Sequence, residues 1–198
     1  MPLDVFLAMV LFAGVMSLTP GPNNIMLAAS GVNFGFARSV PHMVGVSVGF
    51  VILLAASGVG LGAAFAALPA LQIVLKVAGT GYLLWLAYKV ATARPADAEG
   101  AAPGRPITFW QAALFQWVNP KGLVAALSAI SLYIRPGHER GDLPVMLAVF
   151  LAATVLSVLT WTGFGVALRR LLQNPRHARV FNGVMALLLL ASIVPTVI

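Results

Sequence analysis

The chain has no cysteine, and its 198 residues include only five acidic side chains and three histidines. Without cysteine there is no disulfide and no thiolate metal site. None of the acidic residues falls inside an apolar run, which argues against a metal centre or a divalent-cation pathway. There is also no H-E-x-x-H string and no carboxylate pair placed for hydrolytic chemistry. Charge of either sign is scarce, at 9% of residues, against about 25% in soluble domains. With 60% hydrophobic residues, a water-soluble fold of this length would leave much apolar surface uncovered.

The few charges are segregated. Val5–Ala37, Ser39–Leu75, Pro106–Pro120, Gly122–Ile134, Leu143–Leu168 and Val180–Ile198 contain none. Apolar runs of roughly 18 residues or more read as membrane spans, because about 20 helical residues cross a bilayer core. Six spans are predicted, at about 4–31, 39–66, 68–91, 107–134, 143–168 and 180–198. All should be helices, since lipid cannot satisfy an open sheet edge. The runs are continuously apolar rather than alternating, which excludes a closed barrel. The expected fold is an all-α membrane protein, one transmembrane domain over 1–198, with halves of about 1–92 and 106–198. A polar linker at 92–106, carrying Pro95, Gly100, Pro103 and Gly104, joins them. The first run follows Met-Pro-Leu-Asp, so it lacks the basic start of a cleaved signal peptide.

The net charge of +7 does not point to nucleic acid, which needs a continuous basic face. Instead the cations sit between the apolar runs. Arg38, Lys89, Arg94, Arg105, Arg169, Arg170, Arg176 and Arg179 fall on one side, and only Arg135 and Arg140 on the other. The positive-inside bias places the first group in the cytoplasm and both termini outside it, in a multi-pass inner-membrane protein. Tyr82, Trp85 and Tyr88 precede Lys89 and suit the cytoplasmic aromatic belt.

Three spans per half is odd, so the halves enter the membrane in opposite directions, as a 3+3 inverted repeat does. Two sequences near mid-span correspond: Thr19-Pro20-Gly21-Pro22-Asn23-Asn24 in span 1 and Gln116-Trp117-Val118-Asn119-Pro120-Lys121 in span 4. Proline removes a backbone donor and clashes with the preceding turn. Thr or Asn followed by Pro is also a helix start. Each span therefore reads as two half-helices, with helices 1 and 4 broken near mid-membrane. A lone proline would suggest only a kink, but two matched breaks with polar neighbours suggest a site. Lys121 lies deep in its span, where a charge costs about 3 kcal/mol or more unless it merely snorkels. This lysine and two positive helix N-termini suit a carboxylate, while Asn23, Asn24, Gln116 and Asn119 add neutral hydrogen bonds. Carbonyls freed at the breaks suit an ammonium. Together these residues would bind a small zwitterionic amino-acid-like substrate, with no cofactor and no metal. Lys76 and His42 are candidates for a proton relay, set against snorkelling for the lysine and interfacial packing for the histidine. Gly45 and Gly49, continued by Ala56 and Gly60, form a face that suits close static packing of helices.

At these residues the sequence resembles the LysE/RhtB family of amino-acid exporters. The resemblance spans nearly the whole chain: Leu18 through Asn24, Gly31 through Gly49, Lys76 through Leu86, and Phe109 through Lys121 with its closing Asn-Pro-Lys. It implies a six-helix efflux protein driven by the proton gradient. Many relatives carry Asp directly after Thr-Pro-Gly-Pro; here Asn23 stands there, so no role of that carboxylate carries over. The doubled Asn looks closest to the branch that includes the cysteine and O-acetylserine exporter. Two rivals are a membrane-embedded enzyme and a structural membrane subunit. Gly45-Val-Ser47-Val-Gly49 matches G-x-S-x-G as a string, but it lies in a helical span rather than a strand-to-helix turn. A scaffold has no need of paired broken helices. Homo-oligomerisation is left open.

Reporter fusions at 92–106 and 171–178 should both read cytoplasm. A periplasmic signal from either would overturn the six-span topology.

Overall fold

The computed structural model describes residues 1–61, 69–92, 105–169, 172 and 174–191. Among the described residues there are α-helices and no strand. The helices are α1 (Leu3–Leu18), α2 (Pro22–Ala56), α3 (Pro69–Ala91), α4 (Phe109–Phe115), α5 (Pro120–Tyr133), α6 (Glu139–Leu168) and α7 (Pro175–Ala191). A π-helical turn, Ser57–Leu61, continues α2. The linker residues 93–104, with Arg94, and the segments 62–68 and 192–198, which take in parts of three predicted spans, lie outside the described residues, as does Arg170.

The predicted first span is divided between α1 and the start of α2, and the fourth between α4 and α5. A connection was expected around residues 32–38. The chain instead stays helical on both sides and turns at one residue, Gly35, with φ 75° and ψ 176°. That region is essentially open to glycine alone. The turn brings Ser39 back beside Ser30, their hydroxyl oxygens 2.7 Å apart. Leu27 of the first arm then packs in one cluster with Met43 and Val46 of the second.

Close backbone approach organises the packing. A Cβ on Gly31 would run into the Thr162 carbonyl, and one on Gly165 into the Ala28 carbonyl, so the first arm of α2 and α6 touch through glycine on both sides. Gly45 and Gly49 of the second arm meet the α4 backbone at Phe109 and Ala113. This is the static packing expected of Gly45 and Gly49, but the face does not continue to Gly60, which is exposed in the π-helical turn and meets nothing within 4 Å. One apolar cluster joins Met9 and Ala13 of α1 to Leu53 and Leu54 of α2, Ala126 of α5 and Phe150 of α6. Another joins Met26 of α2 to Leu83 and Leu86 of α3 and Leu189 of α7.

Outward faces are apolar too. Leu3, Leu7 and Leu11 on α1, Val44, Val48 and Ile52 on α2, and Val155 and Leu159 on α6 are exposed at helical spacing. A soluble protein does not turn such stripes to water, whereas lipid accepts them. Two described stretches are long and apolar enough to cross a membrane, Pro22–Gly60 and Glu139–Leu168; α1 is apolar but shorter.

The two ends differ in charge. At one end the Arg38 guanidinium lies 5.5 Å from the Phe34 ring centroid, and a Cβ on Gly35 would lie 3.4 Å from Arg169 Nη1. Lys89 and Arg105 line a cavity shared with Phe34. At the other end Asp142, just before the apolar run of α6, accepts from Arg135 Nε and Nη2, each at 2.8 Å. The Met1 ammonium stands 3.7 Å from the same carboxylate. The paired hydrogen bonds from Arg135 hold the Asp142 carboxyl well below the usual range, at about 2. Its proton therefore binds more weakly in the folded chain than in the unfolded one, where the value is about 3.9. The stabilisation is fully present above that unfolded value and fades as the pH falls through 2. In detergent, Asp142→Asn should melt below the wild type from pH 7 to 5, with the gap closing as the pH falls from 4 towards 2. A gap independent of pH would show that the ion pair is not its source.

Candidate functional site

The site forms where α1 stops. Pro20 and Pro22 lack N–H groups, so the last turn of α1 cannot close its carbonyls on the following backbone. Side chains from three other helices do so instead. Asn24 Nδ2 donates to Ser17 O at 2.7 Å and to Thr19 O at 2.9 Å. Ser157 Oγ of α6 donates to Ser17 O at 2.6 Å. Trp161 Nε1 donates to Leu18 O at 3.1 Å. Lys121 Nζ of α5 donates to Thr19 O at 2.6 Å, to Thr19 Oγ1 at 2.8 Å and to Pro20 O at 3.3 Å. The Thr19 hydroxyl in turn donates to Val15 O at 2.8 Å. A cation at the negative end of a helix is electrostatically favoured. The freed carbonyls, expected to be open to a ligand ammonium, are thus engaged by the protein itself.

Gly21 makes this reach feasible. Its backbone is extended, which any residue adopts, but a Cβ there would lie 2.7 Å from Lys121 Cδ and 3.2 Å from Nζ. Its lack of a side chain gives the lysine its path.

Beside these groups lies a cavity of about 60 Å³. Gly21, Pro22, Asn23 and Asn24 line it from the start of α2, and Asn119, Lys121 and Gly122 from the start of α5. Two helix N-termini therefore meet at one cavity, each beginning with proline and neither capped by a side chain. Asn119 is buried, and its Oδ1 has no hydrogen-bond partner. Asn23 and Gln116 form a reciprocal amide pair. Asn23 Nδ2 donates to Gln116 Oε1 at 2.8 Å, and Gln116 Nε2 to Asn23 Oδ1 at 3.2 Å. Gln116 Nε2 also donates to Ala112 O at 2.8 Å, which fixes its orientation. The remaining walls are mainly apolar, from Val46, Phe50, Phe150 and Val158, with the hydroxyl residues Thr154 and Ser157. Among the described residues no carboxylate lines the cavity.

Of the residues singled out from sequence, Gly21, Pro22, Asn23, Asn24, Asn119 and Lys121 line the cavity. Gln116 stands behind Asn23, Thr19 and Pro20 serve as acceptors for Lys121, and Pro120 starts α5. His42 is fully buried, as a packing histidine is, does not line the cavity, and has no partner at either ring nitrogen. Lys76 lies on α3, and its side chain is outside the described residues. Sequence reasoning does not reach Ser157, Trp161 or Thr154. Hydroxyls and tryptophans are commonplace in apolar helices; only the facing carbonyls mark out Ser157 and Trp161, and only the cavity marks out Thr154.

The chain is similar to known proteins along most of its length. The family described as LysE type translocator matches residues 14–192. A protein of Escherichia coli O139:H28 named cysteine/O-acetylserine efflux protein is 33% identical over 178 residues, 89% of each chain. Proteins of the same name from Shigella flexneri (33% identical) and Salmonella choleraesuis (32%) each align over 177 residues, 88% of either chain. No solved structure matches significantly. The matched family is one of translocators rather than enzymes, and the chain belongs to the LysE type translocator family.

Proposed function

We propose that this protein exports small zwitterionic amino acids or amino-acid derivatives across the inner membrane, driven by the proton gradient. In this reading the six apolar runs are six spans arranged as a 3+3 inverted repeat. α1 with the first arm of α2, and α4 with α5, are its two discontinuous spans. The basic end faces the cytoplasm and both termini lie outside. Cysteine and O-acetylserine, named for the relatives, are small amino acids of the expected kind.

The observation that carries the reading is the convergence of both breaks on one cavity, with Lys121 of the second break bonded to the carbonyls of the first. A half-buried ammonium and two uncapped helix N-termini favour a carboxylate. Lys121 then alternates between the Thr19–Pro20 carbonyls and the substrate carboxylate. The unpartnered Asn119 Oδ1 supplies an acceptor for the substrate ammonium. The cavity of about 60 Å³ would hold a few waters, at about 10–15 Å³ each, which limits the substrate to a short side chain against Phe50 and Phe150. His42, with both ring nitrogens unpartnered, and Lys76 are the two candidates for a proton relay.

Lys121→Met keeps the stem and removes the charge. In proteoliposomes it should insert and express normally yet lose export of labelled cysteine or O-acetylserine by roughly tenfold or more, the loss of one charged hydrogen bond. Near-normal flux would show that the lysine only caps α1. Asn119→Leu should raise KM more than it lowers maximal flux; an unchanged KM would remove Asn119 from the site.

A further inference from the structure

A second cavity, of about 250 Å³, lies between the first arm of α2, the end of α3 and the start of α4. It differs from the central one in size, wall and charge. Met26, Ala29, Leu86, Val90 and Ile107 make its walls largely apolar. Two cations stand among them: Lys89 in the last turn of α3, and Arg105 just before α4. Both are exposed, as is Trp85, and Lys89 Nζ stands 4.3 Å from the Trp85 ring centroid. The ion pairs of Asp142 lie at the opposite end of the protein, and no described carboxylate is paired with Lys89 or Arg105.

A small zwitterion has too little apolar surface for such walls and brings only one anionic group already served by Lys121. The lining suits a ligand with an anionic head and a long apolar body. Its position suits one as well. The cations and the exposed tryptophan share the basic end of the protein, where polar helix ends meet the membrane surface, and basic pockets between spans at that boundary hold anionic headgroups. We propose that this cavity binds one anionic phospholipid, its phosphate between Lys89 and Arg105 and an acyl chain along Met26, Leu86 and Val90.

The test uses the whole 198-residue chain, purified in neutral detergent and titrated with phosphatidylglycerol or phosphatidylcholine, with bound lipid counted by native mass spectrometry. The wild type should retain one phosphatidylglycerol at least tenfold more tightly than phosphatidylcholine. Lys89→Gln with Arg105→Gln should abolish the preference, and Lys89→Arg should keep it. Thermal unfolding would check that the variants stay folded. Lys121→Met should leave the preference unchanged, which separates this site from the proposed transport site. Equal retention of the two lipids by the wild type, or an undiminished preference in the double glutamine variant, would overturn the proposal. Loss of the preference in millimolar inorganic phosphate would make this a small-anion site instead. If phosphatidylglycerol bound only after Asp97→Asn and Glu99→Gln, the acidic residues of the linker would be the occupant, and the lipid would not.

Discussion

Where α1 ends at Leu18, a run of carbonyls loses its backbone donors, because the residues that follow are Pro20 and Pro22. Wherever water is kept out, each unsatisfied group of this kind costs several kcal/mol. Much else in the structure answers that demand. Asn24, Ser157, Trp161 and Lys121 come from three helices and converge on Ser17 through Pro20. Together the bonds tie α1 to three neighbours, so the break that weakens one helix also fixes the relative positions of α1, α2, α5 and α6.

The same contacts place an ammonium beside a small, mainly apolar cavity. A positive charge drawn partly out of water is costly by itself. The C-terminal dipole of α1 and the Thr19 hydroxyl offset part of the cost, with acceptors that are neutral. Neutral acceptors bind an ammonium less strongly than a carboxylate does. A lysine held this way is stable enough to fold and still exchangeable with an anionic ligand, whereas pairing with an internal Asp or Glu would lock it. The chain has five acidic residues, and none of the described ones is near the cavity. The rigid parts lie elsewhere, in the glycine-mediated contact of α2 with α6 and the bidentate Arg135–Asp142 pair at one end.

Much of this was legible in the sequence because the signals are local. Asn119-Pro120 marks a helix start by its own chemistry, and α5 begins there with Asn119 as its cap residue. Thr19-Pro20 reads the same way, but Thr19 closes α1 and α2 starts two residues later, at Pro22 after Gly21. A charge deep in an apolar run drew attention to Lys121. What stayed hidden depends on contacts between distant residues. Nothing in the spacing says that Lys121 caps α1, that Gln116 pairs with Asn23, or that Ser157 and Trp161 cover carbonyls more than a hundred residues away. Gly35 was hidden for the opposite reason. A glycine between two apolar runs looks like part of an ordinary loop, and only its φ shows that the whole reversal happens there. His42 reads as a packing residue from its place in the chain, but that both its ring nitrogens go without a partner depends on the helices around it and was hidden.

The central claim is that Lys121 exchanges the Thr19–Pro20 carbonyls for the substrate carboxylate. The dipolar coupling between a ¹³C-labelled Thr19 carbonyl and the ¹⁵N-labelled Lys121 Nζ tests it most directly. It would be measured by solid-state NMR on protein in bilayers, without and with saturating substrate, with Lys121→Met identifying the signal. The account predicts strong coupling without substrate and its loss at saturation. Coupling that persists unchanged while a transported amino acid saturates the protein would contradict it, and would leave Lys121 as a helix cap alone.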